Sequence, residues 1–232
     1  MSGTLYGVGV GPGDPELLTL KALRLVKEND VIAVPGNDAR DSVAYQIVKG
    51  AYEKLDEKML LAVPMPMTKD AKLLEESHEK GAEMVKKYLD EGKNVVFLTL
   101  GDPTVYSTYV YVHKRVQEMG YPVEIVSGIT SFCAVAARLN ISLVEKAEPL
   151  HVVPASYQIE DALKLPGTKV LMKAGKKMGD VKRQLLETGA KAVMIENCGM
   201  PGEKIYRSAE EIPDHAGYYS LIIIKENETM QE

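Results

Sequence analysis

Short β-rich runs alternate with helix-period runs along the whole chain, and this alternation constrains the fold more than any other feature. Residues 5–10, 31–34, 59–63, 94–100 and 122–126 read as strands, as do 151–153, 169–172, 192–196, 204–206 and 218–225. Between them, apolar residues recur at helical spacing in 17–26, 43–48, 71–89, 106–119, 130–139, 159–165 and 180–188. Asp41 and Ser42 are N-cap candidates for the second of these helices. Strands that alternate with helices make an α/β chain with parallel or mixed sheets. Residues 94–100 are apolar almost throughout, as in a strand buried on both faces. So many strands point to two sheets rather than one, hence to two α/β domains. The boundary is expected near residues 120–128, giving domains 1–122 and 123–232.

Composition removes several alternatives. Hydrophobic residues make up 45% of the 232 positions and charged residues 26%, enough to bury a core. The net charge of -5 ranks nucleic-acid binding low. No apolar run reaches the roughly 18–20 residues of a membrane span, and Met1-Ser2-Gly3-Thr4 does not open a signal peptide. A cytoplasmic protein is therefore expected, with no membrane or nucleic-acid partner. Cys133 and Cys198 form no disulfide framework or zinc set and read as reduced thiols. Cys133 lies in an apolar helix pattern and is expected to be buried. His78, His113, His151 and His215 make no HxxxH or HxH pair, so no protein-bound metal is read.

Three glycine-containing loops follow strands and lead into helices. The run Gly7-Val8-Gly9-Val10-Gly11-Pro12-Gly13-Asp14-Pro15 sits where α/β proteins place nucleotide loops. Its glycines miss the G-x-G-x-x-G register, which ends at Pro12 from Gly7 and at Asp14 from Gly9, and the G-K-[ST] phosphate loop is absent. A tight turn that needs glycine only for positive φ is the plain alternative. The second loop, Gly101-Asp102-Pro103-Thr104-Val105-Tyr106-Ser107-Thr108, puts a carboxylate and several hydroxyls at the end of the apolar strand. The third is Ser127-Gly128-Ile129-Thr130-Ser131. Taken singly, Asp102, Thr130 and Ser131 read as helix caps. Three such loops at strand C-termini can converge on one pocket.

The stretches GVGVGPGDPELLTLKA (7–22), DVIAVPG (30–36), LTLGDPTVYST (98–108) and SGITSFCAVAARL (127–139) together resemble the tetrapyrrole methylases, which use S-adenosylmethionine (S-adenosylhomocysteine being the product). Within that family, PMPM (64–67), the YSTYVYV continuation, VLMKAG (170–175) and ENCGMPGEKIY (196–206) look most like the precorrin-2 or cobalt-factor II C-20 methyltransferases of cobalamin synthesis. The resemblance implies two α/β domains holding the cofactor between them, and a homodimer. By motif it carries cofactor contacts onto Gly101, Asp102, Thr104, Val105, Tyr106, Thr130 and Ser131, and onto Met172, Lys173, Asn197 and Cys198 in the second domain. Ser127-Gly128 stands where many relatives have Pro-Gly.

For such a substrate, the enamine-like bridge carbon attacks an electrophilic methyl and then loses a proton. A carboxylate near the site stabilises the charge or takes that proton, and Asp102 is the candidate. Gly11, Pro12, Arg40 and Met65 are candidate substrate contacts. Lys21, Arg24, Arg40, Arg138, Lys173, Lys176 and Lys177 are candidates for a basic trough facing the substrate's carboxylates, and Met65 and Met67 for packing on the macrocycle. Rival functions are methylation at another ring carbon, diphthine synthesis, ribosomal RNA ribose methylation, nicotinamide oxidoreduction and non-catalytic nucleotide binding.

Overall fold

The structure, a computed structural model, describes residues 2–154 and 159–226. Among them are ten strands in two five-stranded sheets. The first compact unit runs to Thr130 and the second begins at Ser131.

The first unit contains β1 (Leu5–Gly9), α1 (Leu20–Glu28), β2 (Val31–Pro35), α2 (Val43–Ala51), β3 (Met59–Val63), α3 (Ala71–Asp90), β4 (Val95–Thr99), α4 (Tyr109–Glu118) and β5 (Val123–Val126). Its strand order is β3-β2-β4-β1-β5, and every pairing is parallel. The twofold period of a strand sorts the side chains between two cores. Val8, Ile32, Val34, Val96 and Leu98 pack with Leu25 and Val26 of α1 and Ile47 and Val48 of α2. Leu5, Val31, Ala33, Val95 and Phe97 pack with Val85 and Leu89 of α3 and Val112 and Val116 of α4. The sheet is thus wound on both faces, which is why residues 94–100 read as continuously apolar.

Local chemistry explains where the helices begin. Thr19 caps α1, its hydroxyl accepting from Ala22 N–H at 3.1 Å, and Asp70 caps α3 through the N–H groups of Lys72 and Leu73. Ser42 is the α2 N-cap residue but makes no side-chain cap bond. The helix expected from residue 106 starts at Tyr109, because Tyr106 holds a left-handed φ of 49°. Gly7 is required by Tyr109, whose ring fills the space a Cβ would take.

The second unit contains α5 (Ser131–Arg138), β6 (Leu150–Pro154), α6 (Ile159–Leu163), β7 (Thr168–Met172), α7 (Met178–Thr188), β8 (Lys191–Glu196), β9 (Lys204–Tyr206) and β10 (Ser220–Lys225). Its order is β6-β7-β10-β8-β9, with β10 antiparallel to both neighbours.

Two expectations need correcting. The boundary at 122/123 falls too early: β5 hydrogen-bonds along β1, Leu5 opposite Val123, so residues 123–126 belong to the first sheet. Cys133 is exposed rather than buried. The apolar stripe of α5 is Phe132, Val135, Ala136 and Leu139, and residue 133 points away from it.

Candidate functional site

Because the first sheet is all parallel, its five strand C-termini share one edge. The chain leaves β1 toward α1 on one face and leaves neighbouring β4 toward α4 on the other. The crevice of the sheet therefore lies between β1 and β4, where open α/β sheets bind ligands. Here the two loops are stitched together. Val10 N–H donates to Thr99 O at 2.9 Å, Gly101 N–H to Gly11 O at 2.8 Å and Gly11 N–H to Gly101 O at 3.2 Å.

The loop after β5 closes on the same point. A Cβ on Gly9 would lie 2.6 Å from both Gly101 O and Gly128 N. One on Gly128 would collide with Gly101 O and sit 2.7 Å from Gly9 C. Positive φ is the reason for glycine at Gly11 (78°) and Gly101 (70°), but at Gly9 and Gly128 the reason is backbone contact. The loops after β1, β4 and β5 do converge, through main chain.

Asp102 holds this junction. Its Oδ1 accepts from Thr104 N–H at 2.8 Å and from the Thr104 hydroxyl at 2.5 Å, and its Oδ2 accepts from Gly128 N–H at 3.0 Å. The Ser127 hydroxyl is a fourth donor, which fills the carboxylate's acceptor sites. Burial pushes the Asp102 carboxyl up, but these four donors outweigh it and hold it below the ordinary carboxylate value. Pro103 is buried beside it while Thr104 is exposed. The Ser107 hydroxyl pairs with Thr99 Oγ1 at 3.1 Å and accepts from Tyr109 N–H at 3.2 Å, fixing the far end of the loop. Between them Val105 is half-buried and Tyr106 is 47% exposed in its left-handed conformation.

In the second unit, β7 and β8 run the same way on either side of β10, so Met172 and Glu196 end at one edge of that sheet. Lys173 and Asn197, the next residue in each case, have φ of 61° and 56°. Asn197 N–H donates to Tyr219 O at 2.9 Å, and Lys173 Nζ lies 5.6 Å from the centre of the Tyr218 ring. Cys198 is half-buried. Tyr106, Lys173 and Asn197 are three of the five described non-glycine residues with positive φ. Strain of this kind collects where a backbone is shaped for a ligand. Thr130 ends the first unit, and Ser131 opens α5 in the second.

The substrate candidates are spread along the first sheet's edge. Gly11 and Pro12 are buried in the loop after β1. Arg40, after β2, has its Nε 3.2 Å from Asp56 Oδ1. Asp56 also takes Lys49 Nζ and the Tyr45 hydroxyl, both at 2.5 Å, and Lys49, Tyr45 and Arg40 together hold it down to about 2. Met65, after β3, lines a cavity of about 370 Å³, whereas Met67 is exposed.

Several of the residues proposed for a basic trough are paired with acids of their own unit. Lys21 pairs with Glu124, Arg24 with Glu28 and Arg138 with Glu203. Lys173 and Lys177 also have partners, and the Lys176 side chain lies outside the described residues. Sequence reading missed Ser127 as a donor to Asp102, and it missed Asn37 and Lys80, which line the same cavity as Met65. Only the helical spacing of residues 73, 76, 77 and 80 signals that cavity. Among the described residues, no three His, Cys, Asp or Glu side chains are grouped to hold a metal ion, and no helix is long and apolar enough to cross a membrane.

The family model Tetrapyrrole (Corrin/Porphyrin) Methylases matches residues 4–213. A probable cobalt-precorrin-2 C(20)-methyltransferase of Methanocaldococcus jannaschii is 44% identical over 170 residues, covering 73% of this chain and 71% of the relative. A precorrin-2 C(20)-methyltransferase of a Sinorhizobium species is 30% identical over 233 residues, covering 96% and 95%. Among solved structures, the uroporphyrin-III C-methyl transferase of Thermus thermophilus complexed with S-adenosylhomocysteine superposes with a TM-score of 0.71 at 23% identity, covering 97% of this chain and 92% of the other.

Proposed function

Because the chain belongs to the tetrapyrrole (corrin/porphyrin) methylases, we propose that it transfers the methyl group of S-adenosylmethionine to the C-20 bridge carbon of precorrin-2, or of its cobalt form, in cobalamin biosynthesis. The observation that carries this reading is the 44% identity to a relative named for the cobalt-precorrin-2 reaction. A relative named for the precorrin-2 reaction aligns over 96% of the chain. The resemblance in motifs supports a homodimer, and the composition supports a cytoplasmic protein without membrane or nucleic-acid partners.

The residues fit the cofactor. Gly9 and Gly128 bring the strand-end loops together backbone to backbone at the sheet crevice, and Gly101 turns there with positive φ. Exposed Thr104, whose hydroxyl donates to Asp102, and the left-handed Tyr106 backbone stand beside them. Gly101, Asp102, Thr104, Val105, Tyr106 and Thr130 are the proposed contacts from the first unit, and Ser131, Met172, Lys173, Asn197 and Cys198 those from the second. When bound, S-adenosylmethionine supplies an electrophilic methyl carried on sulfur. The chain's task is then mostly positioning. Gly11, Pro12, Arg40 and Met65 are the proposed substrate contacts. Asp102 is the proposed charge-bearing residue. With four donors on its carboxylate and a lowered pKa, its geometry favours holding the loops and countering positive charge over accepting a proton.

Labelled S-adenosylmethionine incubated with precorrin-2, with and without inserted cobalt, tests the proposal by mass spectrometry. A product heavier by one methyl supports it, and the cobalt comparison assigns the substrate form. No transfer to either form by cofactor-bound enzyme refutes it.

A further inference from the structure

The cavity beside Met65 lies at the same sheet edge as the glycine loops but is built by different elements. Its floor is the loop after β2, Gly36 and Asn37, and its wall is Pro64-Met65-Pro66 after β3. Gly36 N–H donates to Val63 O at 2.9 Å, tying the floor to the end of β3. The Ser77 hydroxyl donates to Pro64 O at 2.7 Å, tying the wall to α3.

Helix α3 contributes Leu73, Glu76, Ser77 and Lys80, spaced as one face of a helix. That face differs from the one Gly81, Ala82, Val85 and Leu89 bury. At Gly81 an added Cβ would come within 2.8 Å of Val63 Cγ1, so α3 lies close on β3 and sets the stripe against the cavity.

Two groups in this lining have unused donors. The Lys80 ammonium and the Asn37 carboxamide have no hydrogen-bond or ion-pair partner among the described residues. Glu76, the one acid in the lining, sits 3.8 Å from Lys72. Apart from Gly36 and Ser77, whose hydroxyl is taken by Pro64 O, the rest is apolar: two prolines, Met65 and Leu73. An apolar sleeve with a free cation and a free amide suits a short aliphatic arm ending in a carboxylate. The volume of about 370 Å³ takes one ring with its arms, not a whole macrocycle.

We propose that this cavity binds one carboxylate-bearing ring edge of the tetrapyrrole, with Lys80 pairing the carboxylate, Asn37 donating a second hydrogen bond, and Met65 with its flanking prolines packing on the methylenes. The proposal rests on the tetrapyrrole reading above and adds which part of the chain orients the substrate. Lysine places a point charge rather than a fork, so Lys80→Arg restores much of what Lys80→Ala removes.

The test compares wild type with Lys80→Ala, Lys80→Glu, Lys80→Arg and Asn37→Ala. Two readouts are needed: steady-state kinetics on precorrin-2 or its cobalt form, and fluorescence titration with uroporphyrin, a stable tetrapyrrole carrying eight carboxylates. Lys80→Ala should raise KM for the tetrapyrrole about tenfold, the weight of one charge-assisted hydrogen bond. Lys80→Glu should raise it further, while kcat and KM for S-adenosylmethionine stay at wild-type values. Lys80 is exposed and unpaired, so the variants should melt with wild type. A tetrapyrrole KM within twofold of wild type in both Lys80→Ala and Lys80→Glu overturns the proposal. If wild type transfers no methyl yet binds uroporphyrin in a Lys80-dependent way, the activity reading fails and the cavity assignment stands. Absence of both turnover and Lys80-dependent binding overturns the two together.

Discussion

Replacing Gly128 with alanine tests the meeting of the three loops most sharply. The new methyl would collide with Gly101 O and sit 2.7 Å and 2.8 Å from Gly9 C and Cα. All three are backbone atoms that no rotamer change can move, so the strand-end loops must separate. Overpacking of this kind costs about 1–3 kcal/mol. The shift also strains the Gly128 N–H bond to the Asp102 carboxylate at 3.0 Å, and a hydrogen bond to a charged group contributes about 1.5–3 kcal/mol. The two overlap, and their joint effect should be about 3 kcal/mol, or roughly 10 °C in melting temperature. Gly120→Ala is the control. Unlike Gly128 it has positive φ, at 87°, but an added Cβ meets nothing within 4 Å, so only backbone strain of about 1–2 kcal/mol applies. The assay is urea unfolding of both variants with calorimetric titration of S-adenosylmethionine. Gly128→Ala should lose more stability than Gly120→Ala and should bind the cofactor at least tenfold more weakly, while Gly120→Ala binds normally. A Gly128→Ala protein within about 0.5 kcal/mol of wild type, with unchanged cofactor affinity, would refute the argument that backbone contact shapes the site.

Asp102→Asn keeps the shape but turns an amide toward four donors. It should destabilise the protein by about 2 kcal/mol and weaken cofactor binding, with kcat at saturation falling less than tenfold; a loss of 10³ or more in kcat with binding intact would mark Asp102 as the proton acceptor, since that is the scale general-base catalysis supplies. Stability should also fall below neutral pH. Burial, reinforced by the Arg115 charge and opposed by Glu75, holds His78 below its ordinary 6.5, and burial lowers His113. Protons then bind the unfolded chain more readily, so stability declines as pH drops through 6.5 toward the folded values. Asp102, lowered from the ordinary carboxylate value, loses its contribution only as pH falls through its own folded pKa. Unfolding in urea at pH 7.5 and 5.5 should show lower stability at 5.5, and His78→Gln should reduce the difference.

Much of the fold was legible in the chain because burial writes it there. Strands buried on both faces, such as β4, are apolar throughout, and amphipathic helices such as α3 carry their stripe openly. The domain boundary was harder. Nothing local in residues 123–126 tells that they pair with Leu5 through Val8 rather than with the strands that follow. The loops at the site were legible as positions but not as physics. Glycine in sequence does not distinguish left-handed backbone, as at Gly101, from main-chain contact, as at Gly128. Asp102 carries no sign that Thr104 and Gly128 occupy its oxygens. The left-handed conformations of Tyr106, Lys173 and Asn197 fall on residue types that give no such hint at two of the three positions. The pairing of basic residues was hidden for a related reason, since the acids that pair with Lys21 and Arg138 lie far away in sequence.

The most direct measurement is the position of the transferred methyl. S-adenosylmethionine labelled with carbon-13 in its methyl group, turned over with the tetrapyrrole the enzyme accepts, gives a product that NMR can map. The proposed activity requires one labelled methyl, bonded to the C-20 bridge carbon between two rings. A label on a ring carbon, on another bridge or on oxygen would place the chain elsewhere among the tetrapyrrole methylases and contradict it.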